Sequence, residues 1–100
     1  MWTVMTDPAT FPVSGDMSKT EFVEHMKRFH ASLPSGIHIS VTSVIADEAH
    51  ASVEATSNAL LANGKSLNQV YHFAFDLEDG KIVAAREYID TARAVAAFSG

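Results

Sequence analysis

Glu54, Thr56, Gln69, Tyr71 and Glu87 are the polar side chains that strand alternation gathers on one sheet face of this sequence. Carboxyl groups that lose water on folding gain proton affinity, so Glu54 or Glu87 can serve there as acid or base. The same residues also suit half-exposed positions at an open sheet face that does no chemistry. Other reactive types are sparse. The chain has no cysteine, which excludes a disulfide framework, a thiolate nucleophile and a sulfur metal site. His25, His30, His38 and His50 form no i, i+4 pair, so no metal site is expected. His72 falls on the opposite face by parity and reads as an interface residue. There is no glycine-rich phosphate loop, serine nucleophile elbow or basic aromatic patch, and no cofactor is expected.

The composition narrows the partners. Seven basic residues stand against twelve acidic ones in 100 residues, which argues against nucleic acid or an anionic membrane. Apolar residues at 47% and charged residues at 19% suit a folded core rather than disorder. No apolar run reaches the ~20 residues of a bilayer span, and no signal peptide is evident. The expectation is one soluble, cytoplasmic domain over residues 1–100.

Positioning that face requires a sheet. Trp2 to Met5 is β-prone, and Asp7-Pro8, Phe11-Pro12 and Ser14-Gly15-Asp16 are turn chemistry. Ser18 with Glu21 forms a capping box, and Phe22, Met26, Phe29 and Leu33 make one apolar helical stripe that Pro34-Ser35-Gly36 ends. Four extended stretches follow: Ile37 to Ile45, Ala49 to Ala62, Lys65 to Leu77 and Lys81 to Ile89. Asp90-Thr91 caps a short last helix through Phe98. The class is α+β: a curved, cone-like antiparallel meander of four strands plus a short N-terminal strand, packed on helices.

Two turns fix the faces, since a slip of one residue inverts every side chain. A three-residue loop at Glu78-Asp79-Gly80 pairs Tyr71 with Glu87 and Phe73 with Ala85. It gathers Leu67, Phe73, Phe75, Val83, Ala85 and Ile89, and it is preferred over a two-residue Asp79-Gly80 turn. A tight hairpin at Asn63-Gly64 then adds Glu54, Thr56, Asn58 and Gln69. An apolar face with a few converging polar groups is how a ligand pocket is composed.

The opposite face is expected to carry Val53, Ala55, Val70, Ala74, Ala84 and Tyr88, with His72 and Arg86 among them. That is too apolar for a solvated sheet, so a homodimer through it is expected, with Asp76 or Tyr88 of one chain opposite His72 and Arg86 of the other.

The segment Asn63 to Asp90 resembles the C-terminal half of a SnoaL-like domain of the nuclear transport factor 2-like superfamily. Asn68-x-x-Tyr71, Asp79-Gly-Lys-Ile82 and Arg86-Glu-Tyr-Ile-Asp90 carry the likeness, and Trp2-Thr-Val-Met-Thr-Asp-Pro8 resembles the family's first strand and loop. Members normally begin with helices before that strand, and this chain is expected to be short of them. The resemblance implies a small-molecule pocket, with Trp2 and Phe73 lining it beside the polar residues above. It further implies a cofactor-independent isomerase, cyclase or dehydratase acting on an apolar, polyketide- or steroid-like ligand. The alternative is a non-catalytic binding or dimerisation module.

The related ketosteroid isomerase is itself a standard example of proton shuttling by an aspartate beside an oxyanion hole. Asp7 resembles that aspartate's position, although Asp-Pro is also an ordinary turn dipeptide. The enzyme's second carboxyl aligns with Tyr71, whose phenol can instead donate to an oxyanion. Limonene-epoxide hydrolase places a last-strand carboxylate where Glu87 stands. Its Arg-x-Asp pair falls on Glu54-Ala55-Thr56, which removes the arginine and with it that reaction. Asp7 and Glu87 as bases and Tyr71 as donor are the catalytic set the resemblance implies.

Overall fold

The computed structural model describes all residues except Thr10, Pro12, Ser99 and Gly100. Pro12, half of the expected Phe11-Pro12 turn, thus lies outside the described residues. In chain order the elements are β1 (Trp2–Val4), β2 (Gly15–Met17), α1 (Lys19–Ala31), β3 (Ile37–Ala46), β4 (His50–Leu60), β5 (Ser66–Glu78), β6 (Lys81–Ile89) and α2 (Thr91–Phe98). They form one curved, open six-stranded sheet in the order β2-β1-β6-β5-β4-β3, with both helices beside it. The expected meander is present. β2, in a stretch read as loop, is an addition: it pairs antiparallel with β1, which in turn runs parallel to β6.

Helix α1 starts as its sequence dictates. Ser18 Oγ accepts the Glu21 N–H at 3.1 Å and Glu21 returns a bond to the Ser18 N–H at 3.2 Å. Its inner stripe of Phe22, His25, Met26 and Phe29 is only half-buried, and no residue of this helix is fully enclosed. The closed core lies at one end of the sheet, where Leu33, Ala59, Leu61, Leu67 and Ala97 pack with Phe29 and Ile37. Beyond it the sheet stands open. Ile39, Val41 and Val44 of the edge strand β3 are 55–61% exposed. The radius of gyration, 14.1 Å, exceeds the roughly 13 Å of a compact chain this long. Among the described residues, no helix is long and apolar enough to cross a membrane.

Both expected turns differ. Asp79 (φ 52°) and Gly80 (φ 76°) make a two-residue hairpin turn with both centres in the left-handed region, and Glu78 pairs with Lys81. Val83 then bulges, because Asp76 faces Ala84 while Leu77 faces Ile82. The bulge adds one residue to β6, so Phe73 pairs with Glu87 and Tyr71 with Ile89. The expected face of Tyr71, Phe73 and Glu87 survives by parity, although the expected partners do not.

At the β4–β5 connection the outcome is an inversion. Leu60 pairs with Ser66, the Leu61 N–H donates to the Lys65 carbonyl at 2.8 Å, and Asn63 Oδ1 accepts the Lys65 N–H at 2.9 Å. The loop is longer than the expected two-residue turn, and β4 is flipped relative to β5. Glu54 and Thr56 therefore stand opposite His72 and Val70 on the outer face, not beside Tyr71. Val53 and Ala55 move the other way, to the inner face, opposite Phe73 and Tyr71.

Candidate functional site

Alternation along β5 sends Tyr71, Phe73 and Phe75 to the inner face as a ladder of rings. Successive centroids are 5.3 and 6.0 Å apart, with each pair inclined by only 13°. On β6 the same face presents Ala85, Glu87 and Ile89. The small Ala85 leaves room for Trp2 of β1, which is its neighbour in register. The indole stacks on Phe22 of α1 at 4.3 Å and 25°, and lies 5.9 Å from Phe73 and 6.4 Å from Phe75.

Two polar groups stand among these rings. Glu87 Oε1 accepts the Trp2 Nε1–H at 3.0 Å. Burial pushes the Glu87 carboxyl above the usual glutamate range, and the indole bond partly opposes that. The Tyr71 hydroxyl shares a 2.9 Å hydrogen bond with Ser57 Oγ, a buried hydroxyl on β4. Burial raises the Tyr71 phenol as well. The Ser57 bond opposes the rise, and the Glu87 charge adds to it. A phenol kept neutral is a hydrogen-bond donor, and a carboxyl with raised proton affinity is a base or acid nearer neutrality.

The expected site residues separate into four groups. Trp2, Tyr71, Phe73 and Glu87 come together on the inner face. Gln69 shares that parity but serves the fold. Buried, it donates through Nε2 to the Asp90 carbonyl at 2.8 Å, and its Oε1 accepts the Asp90 N–H at 3.1 Å. Asp90 in turn caps α2 through the Ala92 N–H at 3.0 Å. Glu54 and Thr56 are on the other side of the sheet. Asp7 is exposed in the turn after β1, where its Oδ1 accepts the Ala9 N–H at 2.9 Å, the local pattern of an Asp-initiated turn.

Ser57 and Phe22 are the members that sequence reasoning passed over. The signal for Ser57 was present. Alternate residues of β4, Ala51, Val53, Ala55, Ser57 and Ala59, are small or apolar, whereas Ser52, Glu54, Thr56 and Asn58 are polar. That pattern points the first set inward whatever the turn.

The outer face carries Val70, His72, Ala74, Ala84, Arg86 and Tyr88, whereas the Val83 bulge leaves Ile82 opposite Leu77 on the inner side. Arg86 grips Asp76 of its own chain through two bonds of 3.0 and 3.1 Å, and His72 hydrogen-bonds Ser52. Asp76, expected opposite His72 and Arg86 of a second subunit, is thus engaged by Arg86 of its own chain. A shallow depression of about 400 Å³ is lined by Glu54, Val70, His72 and Tyr88 together with Tyr71, Ile89 and Asp90. It is wide open, whereas burial acts on the Glu87 carboxyl and the Tyr71 phenol of the inner face, so the inner face holds the better chemistry. Among the described residues, no group of three potential ligands is placed to hold a metal ion.

No protein-family model matches the chain, and no curated protein matches it. Solved structures do. An NTF2-like protein of unknown function from Burkholderia pseudomallei superposes with a TM-score of 0.81 at 16% identity, covering 99% of this chain and 76% of its own. An NTF2-like protein from Burkholderia thailandensis gives 0.79 at 22% identity, with coverages of 99% and 75%. A protein described as a SnoaL-like polyketide cyclase, from a Jannaschia species, gives 0.76 at 13% identity, with coverages of 99% and 69%. At these identities the likeness establishes the fold, which is the NTF2-like fold that the residues of the last strands resemble.

Proposed function

We propose that this NTF2-like chain binds a small apolar molecule on its inner face and performs cofactor-independent acid–base chemistry on it. The reaction class is isomerisation, cyclisation or dehydration beside a carbonyl. Glu87 takes the proton and Tyr71 donates to the developing oxyanion. The observation that carries this reading is the Glu87 carboxyl set among aromatic rings, with its proton affinity raised by burial. The similarity of the fold to the SnoaL-like polyketide cyclase supports a polycyclic or polyketide-like ligand. Asp7 is secondary, since the turn already uses its carboxylate. In a non-catalytic binding module the same groups bind without turning over.

Deuterium wash-in separates the two. In heavy water the protein should exchange the α-protons of a bound polycyclic ketone, and Glu87→Gln or Tyr71→Phe should lose that exchange. Exchange unaltered in both variants assigns these residues to binding alone.

Homodimerisation through the outer face belongs to the same proposal, with Val70, His72, Arg86 and Tyr88 as its centre and Val53 removed from it. Val70 at 42% and Tyr88 at 39% exposure are the apolar surface that supports it.

A further inference from the structure

The seven lysines and arginines of the chain are all accounted for away from the aromatic face. Arg86 is paired to Asp76 on the outer side, and Arg93 binds Asp90 and the Asn68 carbonyl. Lys65 reaches the Ala96 carbonyl from its loop. Lys81 sits in the exposed hairpin, and Lys19, Lys27 and Arg28 are on the exposed side of α1. His25, half-buried on the inner stripe of α1, has its proton affinity lowered by burial and by Arg28, and it makes no ion pair with Glu87. Glu87 is thus a carboxylate among rings with no cationic partner among the described residues. Trp2 occupies Oε1, and no described residue bonds Oε2.

Such a face rejects anions, since any anion would meet a half-buried negative charge with no cation to offset it. It suits a cation. The π-faces of Trp2, Phe22, Phe73 and Tyr71 attract a positively charged nitrogen held within about 6 Å, and the gain grows when the cation is desolvated. Resting on the proposal that this face binds a small molecule, we propose that its ligand carries a cationic nitrogen, an alkylated or ring-borne ammonium group, seated between the Glu87 carboxylate and the rings. The charge also relieves what burial costs the carboxylate.

Three probes of one shape test it: benzyltrimethylammonium, its uncharged carbon isostere neopentylbenzene, and phenylmethanesulfonate. Trp2 is the chain's single tryptophan, so its emission reports on the site directly. The ammonium should bind about tenfold more tightly than the neutral isostere, the sulfonate should not bind, and Glu87→Gln should remove most of the preference. Phe73→Leu should reduce it without removing it. Equal or tighter binding of the neutral isostere overturns the cation proposal and leaves the apolar-ligand reading standing. Binding by none of the three overturns both. A preference that survives Glu87→Gln shows that the carboxylate is not the receptor and overturns the proposal. The three-probe comparison in the unmodified protein decides the class even if a variant fails to fold.

Discussion

Trp2 and Glu87 are 85 residues apart in the chain, and their side chains meet in one 3.0 Å hydrogen bond from the indole Nε1–H to Oε1. The bond favours the ionised carboxyl and so works against the burial that raises it. Trp2→Phe keeps a ring in place and deletes the donor. The Glu87 carboxyl should then titrate at higher pH than in the parent, followed by carbon NMR of the side chain. Hydrogen bonds to charged groups contribute about 1.5–3 kcal/mol, so stability at neutral pH should fall by an amount of that order. An unmoved titration midpoint would show that the indole does not govern this carboxyl.

The pH dependence of stability carries the signature of the same burial. A carboxyl whose folded pKa lies above its unfolded value contributes most at low pH, and that contribution is lost as pH rises through the folded value. Glu87→Gln should therefore be relatively more stable at neutral pH than near pH 4, judged by urea midpoints against the parent. Asp76 runs the other way. Arg86 holds its carboxyl below the usual range, so its contribution is present at neutral pH and is lost as pH falls through that depressed value. If Glu87→Gln shifts the midpoint equally at both pH values, the burial of Glu87 is not reflected in its proton affinity.

Gln69 offers a test of fold rather than site. Gln69→Leu leaves the half-buried Asp90 N–H without its partner at the junction of β6 and α2, and leaves the Asp90 carbonyl only the Ala94 N–H at 3.3 Å. An unsatisfied donor away from water costs about 1–3 kcal/mol, so a loss in that range is expected, with α2 disordered first. Hydrogen exchange at residues 91–98 should rise well before exchange in β5 does. A near-neutral effect would mean that solvent reaches this junction and replaces both bonds.

For the proposed dimer, sedimentation at micromolar concentration should return a mass near twice 10.8 kDa. Val70→Asp should yield monomer, because an unpaired carboxylate in the centre of an apolar contact is expensive to bury. A parent protein that stays monomeric at millimolar concentration removes the dimer from the proposal.

The element boundaries were legible because local chemistry writes them. The capping box at Ser18 and Glu21, the Pro34-Ser35-Gly36 stop and the β-branched runs each act over a few residues, and the structure follows them. Faces were harder, since they depend on a count of residues at each turn. At Asp79-Gly80 the shorter turn and the Val83 bulge compensate, and the inner set of Tyr71, Phe73 and Glu87 was correct by parity. At Asn63-Gly64 nothing compensated, so Glu54 and Thr56 were assigned inward when the small residues of β4 belong there. The β1–β6 contact had no local signature at all. Parallel pairing between chain segments this remote leaves no mark in either segment, and the Trp2–Glu87 bond exists only through it.

That parallel contact also sets an order of events. β3, β4, β5 and β6 join through neighbouring hairpins, each closing a short loop, whereas β1 can pair only after β6 has been made and placed. Contacts between distant segments form late and slow a folding reaction, because the entropy of closing the long loop is spent before any pairing returns it. Trp2 therefore reaches Glu87 at the end. In stopped-flow refolding, strand circular dichroism should recover in an earlier phase and indole emission in a later one. The meander can be complete, protected and resistant to proteolysis while the molecule still has no place to recognise anything.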